Sequence, residues 1–152
     1  MQPRTKQHLM TAEANEALLS RAFVGVLAMT GPYAIPVHFV WAGGKVYIHG
    51  SPEGEKVDRM AADANVCLTV YEMADFMVDN PTSACSIYTA FESVLVKGTV
   101  GNVEDLAKKR EILYAFAAKY YPPLGELPMP DPAIEATILY EITPREITGK
   151  KV

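Results

Sequence analysis

The sequence predicts a mostly β, α+β fold: an antiparallel split or closed β-barrel of about six to eight strands with about two or three flanking helices. Three observations predict it. Short β-branched and apolar runs recur between Gly- and Pro-containing turns, most clearly over residues 23–49. Helical periodicity clusters in a few places and does not alternate with the strands, as a doubly wound parallel sheet would require. No G-x-G-x-x-G follows any strand pattern.

The elements follow in order. Thr11 is an N-cap candidate for a first helix carrying Ala14, Leu18 and Ala22 at helical spacing. Residues 23–30, 33–41 and 45–49 read as three strands of a meander, joined at Gly31-Pro32 and Gly43-Gly44. Ser51-Pro52 opens a short helix in which Val57, Met60 and Ala61 share a face, and residues 65–71 return as a strand. Residues 72–84 read as a loop because Asp79-Asn80-Pro81-Thr82-Ser83 are turn formers. Two strands are expected around 86–91 and 93–103. Asn102 then caps the longest helix, about 104–121, striped by Leu106, Leu113, Ala117 and Tyr120 and stopped by Pro122-Pro123. Residues 122–132 hold five of the eleven prolines and are expected to be irregular. Two last strands, 135–142 and 146–152, flank Thr143-Pro144-Arg145.

With 152 residues the chain is expected to form one domain, with residues 1–10 a mobile N-terminus. Fourteen Lys and Arg against eighteen Asp and Glu give a net charge of -4, which disfavours nucleic acid as a partner. The apolar run 22–29 is too short to span a bilayer, so no membrane association is expected. Cys67 and Cys85 form no CxxC and read as buried free thiols of the cytoplasm. His8, His38 and His49 lack metal-ligand spacing, so no metal is expected, and no nucleophile elbow is present.

The chemistry concentrates in the strand–turn–helix from Tyr47 to Met60. Gly50 permits a tight exit from the strand, Ser51 can cap the helix, and Pro52 suits its first position. A helix start of this kind offers unpaired N–H groups and partial positive charge to a phosphate, with Lys56 or Arg59 adding a cation. The same pattern is also that of an ordinary capped helix with a solvated lysine. Glu53 and Glu55 already complement the helix dipole and must point away if phosphate binds.

Four segments in order carry a resemblance: 33–39 (Tyr-Ala-Ile-Pro-Val-His-Phe), 45–57, 65–70 and 91–100, closed by 141–150. Together they resemble the pyridoxamine 5′-phosphate oxidase-like FMN-binding split barrels, and most closely their 5-nitroimidazole-reductase-like branch. The resemblance implies a homodimer with FMN in two interface grooves. It implies that backbone at Ile35, Pro36 and Val37 edges the flavin ring, and that His49, Gly50, Ser51 and Lys56 lie at its phosphate. Ser93 and Val94 would approach from the later strand, and Tyr88 or Trp41 would line the groove. Many relatives carry a basic residue just before the serine matching Ser93, where this chain has Phe91-Glu92. The implied activity is FMN-dependent reduction of a small aromatic or nitroaromatic molecule, with His38 or His49 as candidates for proton delivery; no nicotinamide-binding fingerprint appears, which leaves the donor open between transiently docked NAD(P)H and a partner reductase. Deazaflavin or haem in place of FMN, or a carrier or sensor without turnover, are the alternatives within the superfamily.

Overall fold

The computed structural model describes residues 8–78 and 81–152. The chain runs α1 (Ala12–Arg21), β1 (Val24–Met29), β2 (Tyr33–His38), β3 (Val40–Ala42), β4 (Lys45–Gly50), α2 (Glu55–Ala62), β5 (Asn65–Val78) and β6 (Ile87–Asn102). It continues through α3 (Leu106–Tyr120), a 3-10 turn (Pro122–Glu126), α4 (Asp131–Ala136) and β7 (Ile138–Lys151). The fold is mostly β, with one more short helix than expected.

The seven strands form one antiparallel sheet in the order β2-β1-β5-β6-β7-β4-β3. Its two edges are β2 and β3, yet only Phe39 separates them in sequence. Six strand spacings would hold the edges of a flat sheet roughly 29 Å apart. The sheet must therefore curl until its edges meet, which makes a split barrel with a seam at Phe39. Residues 33–42 keep one alternation but change partners there, from β1 (Val37 opposite Gly25) to β4 (Val40 opposite Tyr47). The expected three-strand meander is thus corrected: β1–β2 and β3–β4 are hairpins on opposite edges. Phe39, fully buried, drives the crossing by placing its ring in the barrel core.

That core joins Leu27, Val46, Ile48, Leu68, Val94 and Ile142 from the sheet with Leu18 and Leu19 of α1 and Met60 of α2. A second cluster sits outside the sheet, where Val40, Tyr47 and Leu139 meet Ile112 and Phe116 of α3. Truncating a buried leucine in the first cluster would cost about 2–5 kcal/mol.

Several boundaries move. Thr11 caps α1 as expected, its Oγ1 accepting from Ala14 N at 3.2 Å. α2 starts later than expected: Gly54, at φ 117°, precedes it, and no side chain caps it. β5 runs on to Val78 because Phe76, Met77 and Val78 pair with Thr89, Tyr88 and Ile87. The expected loop is thereby shortened, and its Asp79-Asn80 lies outside the described residues. β6 is one strand, not two, and Asp105 rather than Asn102 caps α3, accepting from Lys108 N at 2.7 Å. The buried side of α3 is Lys109, Ile112 and Phe116, not the expected stripe of Leu106, Leu113, Ala117 and Tyr120, of which Tyr120 packs against the second cluster. Lys109 buries its stem and donates to the Glu135 carbonyl (3.2 Å), satisfying the end of α4.

β7 is also continuous. Pro144 and Arg145 sit where the β6–β7 register shifts, a bulge that tolerates a residue without an N–H. Residues 122–132, expected to be irregular, include the 3-10 turn and the start of α4. Residues 1–7 of the expected mobile N-terminus lie outside the described residues. His8–Met10 are paired instead: Leu9 bridges Lys150, and Met10 N donates to Gly149 O at 3.0 Å. Both cysteines are free, but Cys85 is exposed because it lies on the loop before β6, and Cys67 is half-buried. Among the described residues no helix is long and apolar enough to cross a membrane.

Candidate functional site

β2 is a sheet edge, so one side of its backbone bonds no strand. Ile35 and Val37 pack against the core, which turns Pro36 and His38 outward. Only the backbone of Ile35 and Val37 is therefore available to a ligand at this edge. Val24, Pro36, Val37 and His38 line a cleft of about 260 Å³ there.

Across the seam stand His49 and Gly50 of β4. Extending the β3–β4 register brings His38 opposite His49. Two aromatic residues of α3 hold both imidazoles: Tyr120 lies 4.8 Å from the His38 ring, and Phe116 meets the His49 ring edge-on at 4.7 Å. The Tyr120 hydroxyl accepts from Phe39 N (2.8 Å) and lies 2.6 Å from the Phe23 carbonyl, latching the hinge of the seam. Lys119 Nζ donates to Phe39 O at 3.0 Å, and burial pulls its pKa down to about 8.

Lys56 completes the group. Its Nζ lies against Gly50, where any Cβ would collide with it. No carboxylate among the described residues pairs with it. Arg59 is committed elsewhere: it binds Glu55 (2.9 and 2.7 Å) and the Thr30 carbonyl (2.8 Å) and covers the Tyr33 ring. That pairing also turns Glu55 away from Lys56. His49 is held below its ordinary pKa, first by burial and then by the positive charges of His38 and Lys56. A lysine without a carboxylate partner among the described residues, beside two imidazoles that can donate hydrogen bonds, suits an anion.

The predicted residues are thus only partly assembled. Ile35–Val37, His38, His49, Gly50 and Lys56 gather at the seam. Ser51 lies on the adjacent turn, exposed, its Oγ accepting weakly from Glu53 N at 3.4 Å rather than capping α2. Ser93 lies on the outer face of β6, three strands from β2, or roughly 14 Å along the sheet. Val94 is fully buried in the barrel, so its side chain reaches no groove. Tyr88 stands opposite Met77 on the protruding β5–β6 ribbon, and Trp41 packs against the core. Tyr120 and Phe116 were not singled out as site residues. Their contacts join positions up to about eighty residues apart, and only their place on the α3 apolar side marks them in sequence.

The chain belongs to the pyridoxamine 5′-phosphate oxidase family, whose model matches residues 11–151. Solved structures with this fold include a candidate 5-nitroimidazole antibiotic resistance protein from Bacteroides thetaiotaomicron. It is 24% identical over 93% of this chain and 85% of its own, with a TM-score of 0.80. The flavocytochrome Anf3 from Azotobacter vinelandii is 25% identical, covering 99% of this chain and 74% of its own, with a TM-score of 0.83. An FAD- and haem-binding protein from Mycobacterium smegmatis is 20% identical over 93% and 71%, with a TM-score of 0.80. No curated protein matches the sequence.

Proposed function

We propose that the chain is a flavin-dependent oxidoreductase of small aromatic or nitroaromatic molecules, holding the FMN moiety of its cofactor at the barrel seam. One observation carries the reading: Lys56, a cation without a carboxylate partner among the described residues, stands with the imidazoles of His49 and His38 beside the open backbone edge of β2. Family membership and the flavin-binding relatives support it. The residues fit the group in two respects. The Gly50 cradle leaves Lys56 room to meet a phosphate, and the free edge at Ile35–Val37 offers backbone hydrogen bonds to a planar ring. Flavin would supply the hydride chemistry. The chain would hold the phosphate through Lys56, orient the ring through β2, and hold a proton on His38 or His49.

The working unit in this reading is a cytoplasmic homodimer. β1, β5 and β6 expose Val24, Val26, Tyr71, Met73, Phe76 and Ile87, and no helix of the described chain covers that outer face. A two-fold partner laid on it would bring a second Ser93 to the seam, uniting groups that one chain holds apart. An absorption spectrum of the purified protein tests the cofactor, because flavin, deazaflavin and haem differ plainly. A colourless protein that takes up no added flavin would sink the reading. NAD(P)H oxidation with nitroimidazole or quinone acceptors then separates a reductase from a carrier or sensor.

A further inference from the structure

The chain changes partner at Phe39, after His38 has paired with Val24 of β1 and before Val40 pairs with Tyr47 of β4. Continuing the β1–β2 register by one step would set Phe39 opposite Phe23. In a continued antiparallel ladder, facing N–H and C=O groups of such a pair bond each other directly. Here the Tyr120 hydroxyl stands between them: it accepts from Phe39 N at 2.8 Å and lies 2.6 Å from Phe23 O. A side chain of α3 thus interrupts the ladder.

A phenol has one proton to donate, and two carbonyls compete for this one. Phe39 O lies 2.9 Å from the Tyr120 hydroxyl but also accepts from Lys119 Nζ at 3.0 Å. Lys119 therefore satisfies Phe39 O and leaves the tyrosine proton for Phe23 O, the nearer carbonyl. Burial raises the Tyr120 pKa, which keeps that proton on the oxygen at neutral pH. The ring is fixed as well. It stacks on Phe116 at 5.9 Å, meets Phe23 edge-on at 5.6 Å, and lies 4.8 Å from the His38 imidazole. Phe116 in turn meets His49. One side chain thus holds the crossing and, directly or through Phe116, both imidazoles of the seam.

We propose that Tyr120 is a positioning residue of the flavin site, a wedge whose hydroxyl stops the β1–β2 ladder at His38 and so sets the span from that edge to His49 across the seam. Without the hydroxyl, Phe39 N–H can close on the Phe23 carbonyl, which lengthens the β1–β2 pairing and draws the crossing away from β4. The inference rests on the flavin reading above, and it adds the residue that keeps the two walls of the site apart.

Tyr120→Phe in the full chain tests it, because the ring and its stacking stay and only the wedge is lost. FMN affinity should fall at least about tenfold. A scalar coupling through the hydrogen bond from Phe39 N to the Phe23 carbonyl carbon, absent in the wild type, should appear in the nuclear magnetic resonance spectrum. Lys119→Met, which makes Phe39 O compete for the tyrosine proton, should weaken FMN binding in the same direction, and Lys119→Arg should restore it. Ile134→Val, a truncation of a fully buried residue in α4, lowers stability away from the crossing and should leave FMN affinity unchanged. Unchanged FMN affinity in Tyr120→Phe, an equal loss in Ile134→Val, or no Phe39–Phe23 coupling in Tyr120→Phe would each overturn the wedge. A wild-type chain that takes up no FMN would overturn the flavin reading instead. The coupling would then decide the wedge alone, its appearance in Tyr120→Phe supporting it and its absence overturning it.

Discussion

Lys56 reaches the seam as a cation without a carboxylate partner, and its removal should be felt in binding rather than in folding. Lys56→Ala should weaken flavin affinity by about 1.5–3 kcal/mol, the worth of a charge-assisted hydrogen bond. Fluorescence titration measures this, and an unchanged affinity would make Lys56 an ordinary surface lysine. His49 carries a second prediction, with a definite sign. Its folded pKa lies below the free value of 6.5, so the unfolded chain binds more protons just below neutrality. Its contribution is therefore fully present above the free value and declines as pH falls below it. Melting temperatures taken between about pH 5 and 8 should fall on the acid side, and His49→Gln should flatten that slope. The identity of these residues and the cause of their chemistry differ in how far the sequence shows them. Lys56 and His49 stand in one local strand–turn–helix and could be picked from the sequence. The reason for their chemistry could not, because the partners that isolate them, Phe116 and the Glu55-bound Arg59, are set by tertiary packing.

Among the elements, the β5–β6 ribbon makes the clearest demand. Glu72 and Glu92 face each other across the ladder, a like-charge pair that would repel. Arg21, from the last turn of α1, bonds both carboxylates, reaching Glu72 at 2.9 Å, and Lys151 bonds Glu92 as well. Those bonds, led by Lys151, hold the Glu92 carboxyl below its usual pKa. Its stabilising contribution is present above the free carboxylate pKa and is lost as pH falls through the lowered value. Because these side chains are partly solvated, Arg21→Ala should cost no more than about 1 kcal/mol globally. Its sharper effect should be local: hydrogen exchange along residues 71–78 and 87–92 should speed up while the barrel strands stay protected. This ribbon also shows why element boundaries were misread. Turn formers at 79–83 suggested a loop back to Glu72, but pairing with β6 overrode local propensity as far as Val78. Conversely, Gly54 starts α2 with a positive φ, three residues after the more familiar Ser51-Pro52 signal. Alternation, by contrast, was legible: the inward and outward faces of 33–42 hold through the change of partner.

For the whole molecule, the proposed homodimer would form on the outer face of β1, β5 and β6. Met73→Asp with Phe76→Asp should turn a dimer into a monomer in sedimentation velocity, and that monomer should lose flavin if the partner's strand completes the groove. A wild-type chain that sediments as a monomer with flavin bound would count against the homodimer. The overall class was readable because composition, short turns and clustered helices agreed. The strand order was not, since nothing local to Phe39 says that its two neighbours belong to opposite edges of one sheet. That crossing has a consequence in time. β1–β2 and β3–β4 can each form locally, but the seam between them exists only after β5, β6 and β7, up to about a hundred residues later in the chain, have linked the two hairpins. Long-range pairings of this kind form slowly. His38, His49 and Lys56 should therefore come together in the last step of folding, and a ligand that bridges them would slow unfolding without hastening the early steps.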